Sequence, residues 1–222
     1  MSTINLYHGD CMEAMRQMPD KAYDLAIVDP EYGIGLGMVY NHGTTKATIH
    51  QKKEWNGNIP GSEYFEQLHR VSKHQIIWGC NYYAKYIPAV GRIVHDKQLR
   101  IEGTDLKYSE ADLASCSLQK RITVFRYRWN GNVQGDTINW KNEGPDRRIH
   151  PTQKPISLYK YCLQYAKPGW KILDTHGGSM AIAIACHDLG FDLDLWEIDK
   201  DYYEAGVKRF NDHKKQLNLF RA

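Results

Sequence analysis

The stretch from Lys171 to Glu197 constrains the fold most. An apolar run, Lys171 to Asp174, enters the turn Asp174-Thr175-His176-Gly177-Gly178-Ser179, and a helical segment follows from Ala181 to Leu189. Gly190 ends that segment, and a second apolar run spans Asp192 to Glu197. A strand, a glycine turn, a helix and another strand form the repeating unit of an open α/β sheet, because the helix carries the chain back across one face. Glycines at the turn let the backbone approach a ligand where side chains would obstruct it. Glu197 lies 20 residues beyond Gly177, the separation at which a carboxylate in such units accepts hydrogen bonds from ribose hydroxyls. A tight turn with a solvated acid at the strand end would leave the same residues.

The turn lacks the Lys-Ser or Lys-Thr pair of a phosphate cradle, and Asp174 there repels a pyrophosphate but welcomes an ammonium. S-adenosylmethionine, which carries an amine and a sulfonium, suits it better than NAD or ATP.

The same alternation runs through the rest of the chain. Ile4 to His8, Tyr23 to Val28, Gln75 to Trp78, Arg92 to His95 and Ile122 to Trp129 read as strands. Helical stripes appear at Cys11, Met15 and Met18 behind a capping Asp10, at Phe65, Leu68 and Val71 behind Ser62, and at Leu158, Tyr161, Cys162 and Tyr165. A last helix carries Tyr203, Val207 and Phe210. With 222 residues and 42% hydrophobic content, one substantial core can form but hardly a second. The expectation is one α/β domain over 1–222, a mixed, mostly parallel sheet with helices on both faces. The polar stretch 33–61 and the segment 120–149 are insertions in it. Gln98 to Ser117 carries no interpretable motif.

Five cysteines without a C-x-x-C pair argue against a disulfide framework or a zinc site, so no metal is expected. No apolar run is long enough for a membrane-spanning helix, and no signal pattern opens the chain. A soluble cytoplasmic protein that leaves membranes alone fits best.

Tyr23 to Val28 runs straight into Asp29-Pro30-Glu31-Tyr32. Pro30 holds Asp29 extended and aims its carboxylate outward. An exocyclic amine needs two acceptors to orient its hydrogens, and Asp29 with the Pro30 carbonyl supplies them. Tyr32 offers a face for an extruded base, worth about 1 to 3 kcal/mol. A β-turn after a buried strand accounts for the tetrapeptide equally well.

Together these motifs resemble the DNA amino-methyltransferases of the N6-adenine and N4-cytosine class, whose motif is Asp-Pro-Pro-Tyr, in that family's permuted, β-type order. The resemblance spans nearly the whole chain. It implies the Rossmann-like fold of S-adenosylmethionine-dependent methyltransferases, with Asp29, Pro30 and Tyr32 catalytic. Gly9-Asp10 resembles the acidic contact to the cofactor's adenine. His150-Pro151-Thr152-Gln153-Lys154-Pro155 resembles the element closing over its methionine end, which implicates His150, Thr152 and Lys154. Asp174, His176, Gly177, Gly178 and Ser179 resemble the cofactor loop, and Glu197 the ribose acid. Two positions depart from the pattern: Glu31 replaces the second proline, and Met180 stands where a glycine is usual.

The implied reaction moves a methyl group from S-adenosylmethionine to adenine N6, since Asp in first place is commoner among adenine enzymes. Other expectations remain open: a DNA- or cofactor-binding homologue with weakened or no turnover, a cytosine-N4 enzyme, or an amino-methyltransferase of RNA or protein. The implied setting is a bacterium, phage or prophage, as in restriction-modification. For DNA contact, the strand to Trp129 alternates Phe125, Tyr127 and Trp129 with Arg126 and Arg128, and seven basic residues face three acidic ones from Lys120 to Arg148. Lys141, Arg147, Arg148 and, in the 33–61 loop, Lys52 and Lys53 complete the expected phosphate contacts. An edge strand with a solvated basic side is the competing reading of Arg126 and Arg128. At the C-terminus, Gln216, Leu217, Leu219 and Phe220 resemble the extended peptide by which bacterial proteins dock onto the sliding clamp, unless those apolar residues pack back on the domain.

Overall fold

Leu25, Ala26, Ile27 and Val28 are all fully buried, which puts β2 (Tyr23–Val28) inside a sheet covered on both faces. Alternate residues divide between two cores. Leu25 and Ile27 pack with Ile182, Ile184 and Leu158, whereas Ala26 and Val28 pack with Phe65, Leu68 and Met15. A computed structural model describes residues 2–33, 59–99, 109–130, 133–135, 137–138 and 148–219.

The elements follow the expected alternation: β1 (Ile4–His8), α1 (Cys11–Gln17), β2, α2 (Ser62–Val71), β3 (Ser72–Trp78), β4 (Gly91–Asp96), β5 (Ala111–Cys116) and β6 (Ile122–Arg126). Three two-residue strands come next, β7 (Trp129–Asn130), β8 (Val133–Gln134) and β9 (Thr137–Ile138), and pair among themselves. The chain closes with α3 (Ile156–Leu163), β10 (Lys171–Asp174), α4 (Ala181–Leu189), β11 (Asp192–Glu197) and α5 (Lys200–Leu219).

The main sheet has the order β1-β11-β10-β2-β3-β5-β4-β6. All its pairings are parallel except those of β5 with β3 and β4. From β10 the chain proceeds outward to β11, and from β2 it proceeds the other way to β3. Ligands of open α/β sheets bind beyond the strand carboxyl ends at such a reversal. Here that point lies between Asp29, just past β2, and Asp174, at the end of β10.

Three boundaries differ from the sequence reading. β3 starts at Ser72, directly after α2, because Ser72 Oγ donates to the Leu68 carbonyl at 2.6 Å and closes the helix without a loop. β5 lies in the stretch without a motif; Ala-Asp-Leu-Ala-Ser-Cys has neither β-branched residues nor strict alternation, so only its two neighbours make it a strand. β6 stops at Arg126, and Trp129 begins the small sheet.

The last helix continues through Leu219, so the backbone from Gln216 to Leu219 is helical where an extended peptide was expected. Phe220 lies outside the described residues. So do Lys52, Lys53, Lys141 and Arg147 and most of the 33–61 loop. All five cysteines are free, and no described helix is long and apolar enough to cross a membrane.

Candidate active site and cofactor cleft

At the end of β10 the backbone has little freedom. A side chain on Gly177 would lie 2.3 Å from Leu195 Cδ2, so any larger residue there would have to displace the Leu195 side chain. Gly178, at φ 48°, needs the left-handed region and carries the turn toward His150. Met180 adopts the same region at φ 55°, with its side chain fully buried against Gly206 of α5. That explains both why a glycine is usual at this position and how methionine is kept there: packing outweighs backbone strain.

Glu197 ties the two loops together. Its carboxylate accepts the Gly178 N–H at 2.6 Å and the Asp199 N–H at 2.8 Å. A carboxylate offers about four acceptor positions, so two remain for a ligand's hydroxyls. Burial raises the Glu197 carboxyl, against the pull of those two N–H groups. Asp174 is buried more completely. Its carboxylate accepts the His176 N–H at 3.0 Å, yet desolvation, with Asp29 and Glu197 nearby, pushes it up to about 8. At neutral pH it therefore holds a proton, and its side chain lines neither of the two neighbouring clefts.

Two clefts open here, of about 740 and 1010 Å³. The first is lined by Asp29, Pro30, Tyr32, His150, Thr152, Lys154 and Ser179, the second by Gly9, Asp10, Tyr64, Thr175 and Ile198. Glu31, His176 and Glu197 line both, so the clefts adjoin along that wall. There the His176 Nε2 lies 3.4 Å from a Glu31 carboxylate oxygen, while its Nδ1 is 2.8 Å from Thr175 Oγ1. Tyr64 shares a 2.7 Å hydrogen bond with that same Thr175 hydroxyl. Glu31 thus joins the Asp29–Tyr32 tetrapeptide to the glycine loop.

The tetrapeptide itself is rigid. Tyr32 donates its hydroxyl to Asp29 Oδ1 at 2.6 Å, and Tyr83 donates to the carbonyls of Pro30 and Glu31, each at 2.7 Å. Tyr32 stacks on Tyr82, ring centroids 4.9 Å apart and planes at 17°, so one face of Tyr32 is covered. Burial, and then Asp29, raise the Tyr32 phenol well above its ordinary value and keep it a donor.

The remaining expected residues spread over the same end of the sheet. Asp10 lines the second cleft but also caps α1, accepting the Met12 N–H at 2.7 Å. His150 packs edge-on to Tyr202, centroids 4.3 Å apart, and its Nδ1 lies 3.2 Å from Thr152 Oγ1. Lys154 turns its ammonium into Asp29 Oδ2 at 2.6 Å. Beyond the clefts, Phe125, Tyr127 and Trp129 form a ladder of rings anchored on Tyr161, and Trp129 donates to the Gln153 carbonyl at 2.7 Å. Arg126 and Arg128 are exposed on the other side of that ladder, with Arg126 3.6 Å from Asp96. Arg148 is half-buried and donates to the Pro151 carbonyl. Tyr64, Tyr82, Tyr83 and Asp112 escaped the sequence reading; the Tyr82-Tyr83 pair directly after β3 was the available signal. Among the described residues no group of His, Cys, Asp and Glu could hold a metal ion.

This arrangement defines a class: the chain has the Rossmann-like fold of S-adenosylmethionine-dependent methyltransferases. No family model matches the sequence. The type II methyltransferase M.HpaI of Haemophilus parainfluenzae is 23% identical to it, an alignment covering 91% of this chain and 73% of that protein. Among solved structures, the M1.HpyAVI–SAM complex aligns at TM-score 0.59 and 17% identity over 93% of this chain and 99% of its own. The cytosine-N4-specific PvuII DNA methyltransferase aligns at TM-score 0.62 and 12% identity over all of this chain and 92% of its own.

Proposed function

We propose that this chain is a DNA methyltransferase that uses S-adenosylmethionine to methylate the exocyclic amine of a base, adenine N6. The observation that carries the reading is the meeting of Asp29 and the glycine loop at the sheet's reversal point, with Glu31 and His176 on the wall between two adjoining clefts. The chain fits the cofactor. Glu197 keeps acceptors for ribose hydroxyls, and Asp174, buried at the end of β10 and lining neither cleft, is proposed to ionise against the cofactor's amine. Gly9, Asp10 and Ile198 would line the adenosine end, and His150, Thr152 and Ser179 the methionine end. Such a cofactor supplies an electrophilic methyl group on sulfur.

The chain's own residues orient the acceptor. A base drawn out of its stack presents its amino group to Asp29 and to the Pro30 carbonyl, and each keeps acceptor capacity beyond its present partners. The nitrogen lone pair would form the new C–N bond as the methyl group's bond to sulfur breaks, and the surplus proton on the nitrogen would pass to solvent. Asp29, beside the nitrogen, stabilises the positive charge that develops there. Exposed Arg126 and Arg128 lie where a phosphate backbone could run.

Adenine is favoured by the Asp in first place of the tetrapeptide, and the alignment with a cytosine-N4-specific enzyme makes cytosine N4 the second reading. The test incubates the protein with methyl-labelled S-adenosylmethionine and unmethylated DNA, then digests the DNA to nucleosides. Label in N6-methyldeoxyadenosine is expected. Label in N4-methyldeoxycytidine selects the second reading, and cofactor binding with unlabelled DNA refutes both.

A further inference from the structure

Lys154 is the buried cation of the site. Its side chain is 5% exposed, and its ammonium touches Asp29 Oδ2 at 2.6 Å and the Tyr32 hydroxyl at 2.9 Å. Tyr32 in turn donates to Asp29 Oδ1, so carboxylate, phenol and ammonium form a closed triangle. The rings of Tyr32 and Trp78 lie 5.3 and 5.6 Å from the ammonium, and Trp78 is fully buried. The ammonium therefore backs onto the protein core.

A second, partly buried carboxylate acts on the ammonium from β5. Asp112 on β5 is held by Lys97 at 2.7 Å and lies 3.6 Å from the buried His95 ring. Burial alone would raise the Asp112 carboxyl; Lys154, His95 and Lys97 together hold it well below its ordinary range. Burial would likewise lower the Lys154 ammonium, but Asp29 and Asp112 overcome it and raise it. Lys154 therefore stays charged and is no proton acceptor.

We propose that Lys154 is the positioning residue that fixes the Asp29 carboxylate for the target amine, and that it does not bind the cofactor. This rests on the functional reading above. The geometry gives the reason. Asp29 side-chain torsion would move both acceptor oxygens, and misplacement of such a group by about 1 Å costs on the order of a hundredfold in rate. Lys154 pins one oxygen and Tyr32 the other, leaving the outer lone pairs at fixed positions. A lone cation so near the reacting nitrogen would oppose the positive charge developing there. Paired directly with the Asp29 carboxylate, its charge is largely neutralised, so it holds Asp29 at little such penalty.

The test compares wild type with Lys154→Met, Lys154→Arg, Asp29→Asn and the Lys154→Met/Asp29→Asn double variant. Three quantities are read: kcat at saturating cofactor and DNA, cofactor Kd by calorimetry, and the urea midpoint. Lys154→Met is expected to lower kcat roughly a hundredfold while cofactor Kd stays within about threefold, with partial recovery of kcat in Lys154→Arg. The urea midpoints should be non-additive, the double variant losing less than the two single variants together. A cofactor Kd weakened about tenfold or more with kcat preserved overturns the inference, as do additive midpoints. If wild type transfers no methyl group, the functional reading fails instead. The urea cycle still decides whether Lys154 and Asp29 are coupled.

Discussion

Titrating S-adenosylmethionine into the protein at pH values from about 6 to about 9 tests the electrostatics of the cleft through Asp174. Buried, and raised to about 8, this carboxyl is protonated in the free protein at neutral pH. An ammonium brought against it favours the anion, so binding expels the proton. From a free-state value of about 8, binding that leaves Asp174 ionised releases about 0.9 proton from it at pH 7. Affinity then rises with pH below about 7, and above about 8 it falls again as the ligand's own α-amino group, with an ordinary pKa of about 7.7 to 8.0, loses its charge. Calorimetry at pH about 7 in two buffers of different ionisation enthalpy measures the release directly. Glu197 is also raised by burial, so Asp174→Asn is the control that assigns the proton: the buffer dependence should vanish in it. A wild-type binding enthalpy that is the same in both buffers would refute the reasoning. The sign carries over to stability. The native state keeps this proton through a window where the unfolded chain has lost it, from about 4 to about 8, so Asp174 makes the free protein less stable as pH rises through that window.

Met180→Gly should lower the urea midpoint even though it removes a left-handed methionine: relief of about 1–2 kcal/mol is smaller than the about 2–5 kcal/mol lost with a buried side chain of this size. A higher midpoint would show that strain dominates. DNA affinity should fall steeply with salt, and Arg126→Gln/Arg128→Gln should reduce the magnitude of the log–log slope by about 2 if both residues meet phosphates. An unchanged slope would remove them from the interface.

What could be read from the sequence was whatever the backbone itself demands. Gly177 packs close on Leu195, Pro30 follows a buried strand, and Asp174 and Glu197 stand at strand ends, so each leaves a local imprint. The parallel half of the sheet was legible for the same reason, its strands being near-continuous apolar runs punctuated by turns. Asp112 was not. It sits in a strand of low propensity whose place is set by β3 and β4, and its link to the site runs through Lys154, distant in sequence. Tyr83 holds the Pro30 carbonyl from 53 residues away, a contact without periodicity or spacing to announce it. Lys154 was noticed as part of a motif, but a motif does not say which way a side chain turns. Met180 is legible only as a departure from the usual glycine; its packing in the core and its left-handed backbone become visible only with the fold.

The account stands or falls on Asp29. The most direct measurement is transfer of labelled methyl groups to DNA by wild type and Asp29→Ala, with S-adenosylmethionine Kd measured on the same preparations. The account predicts that the substitution abolishes transfer while the cofactor still binds. Near-normal turnover by Asp29→Ala would contradict it.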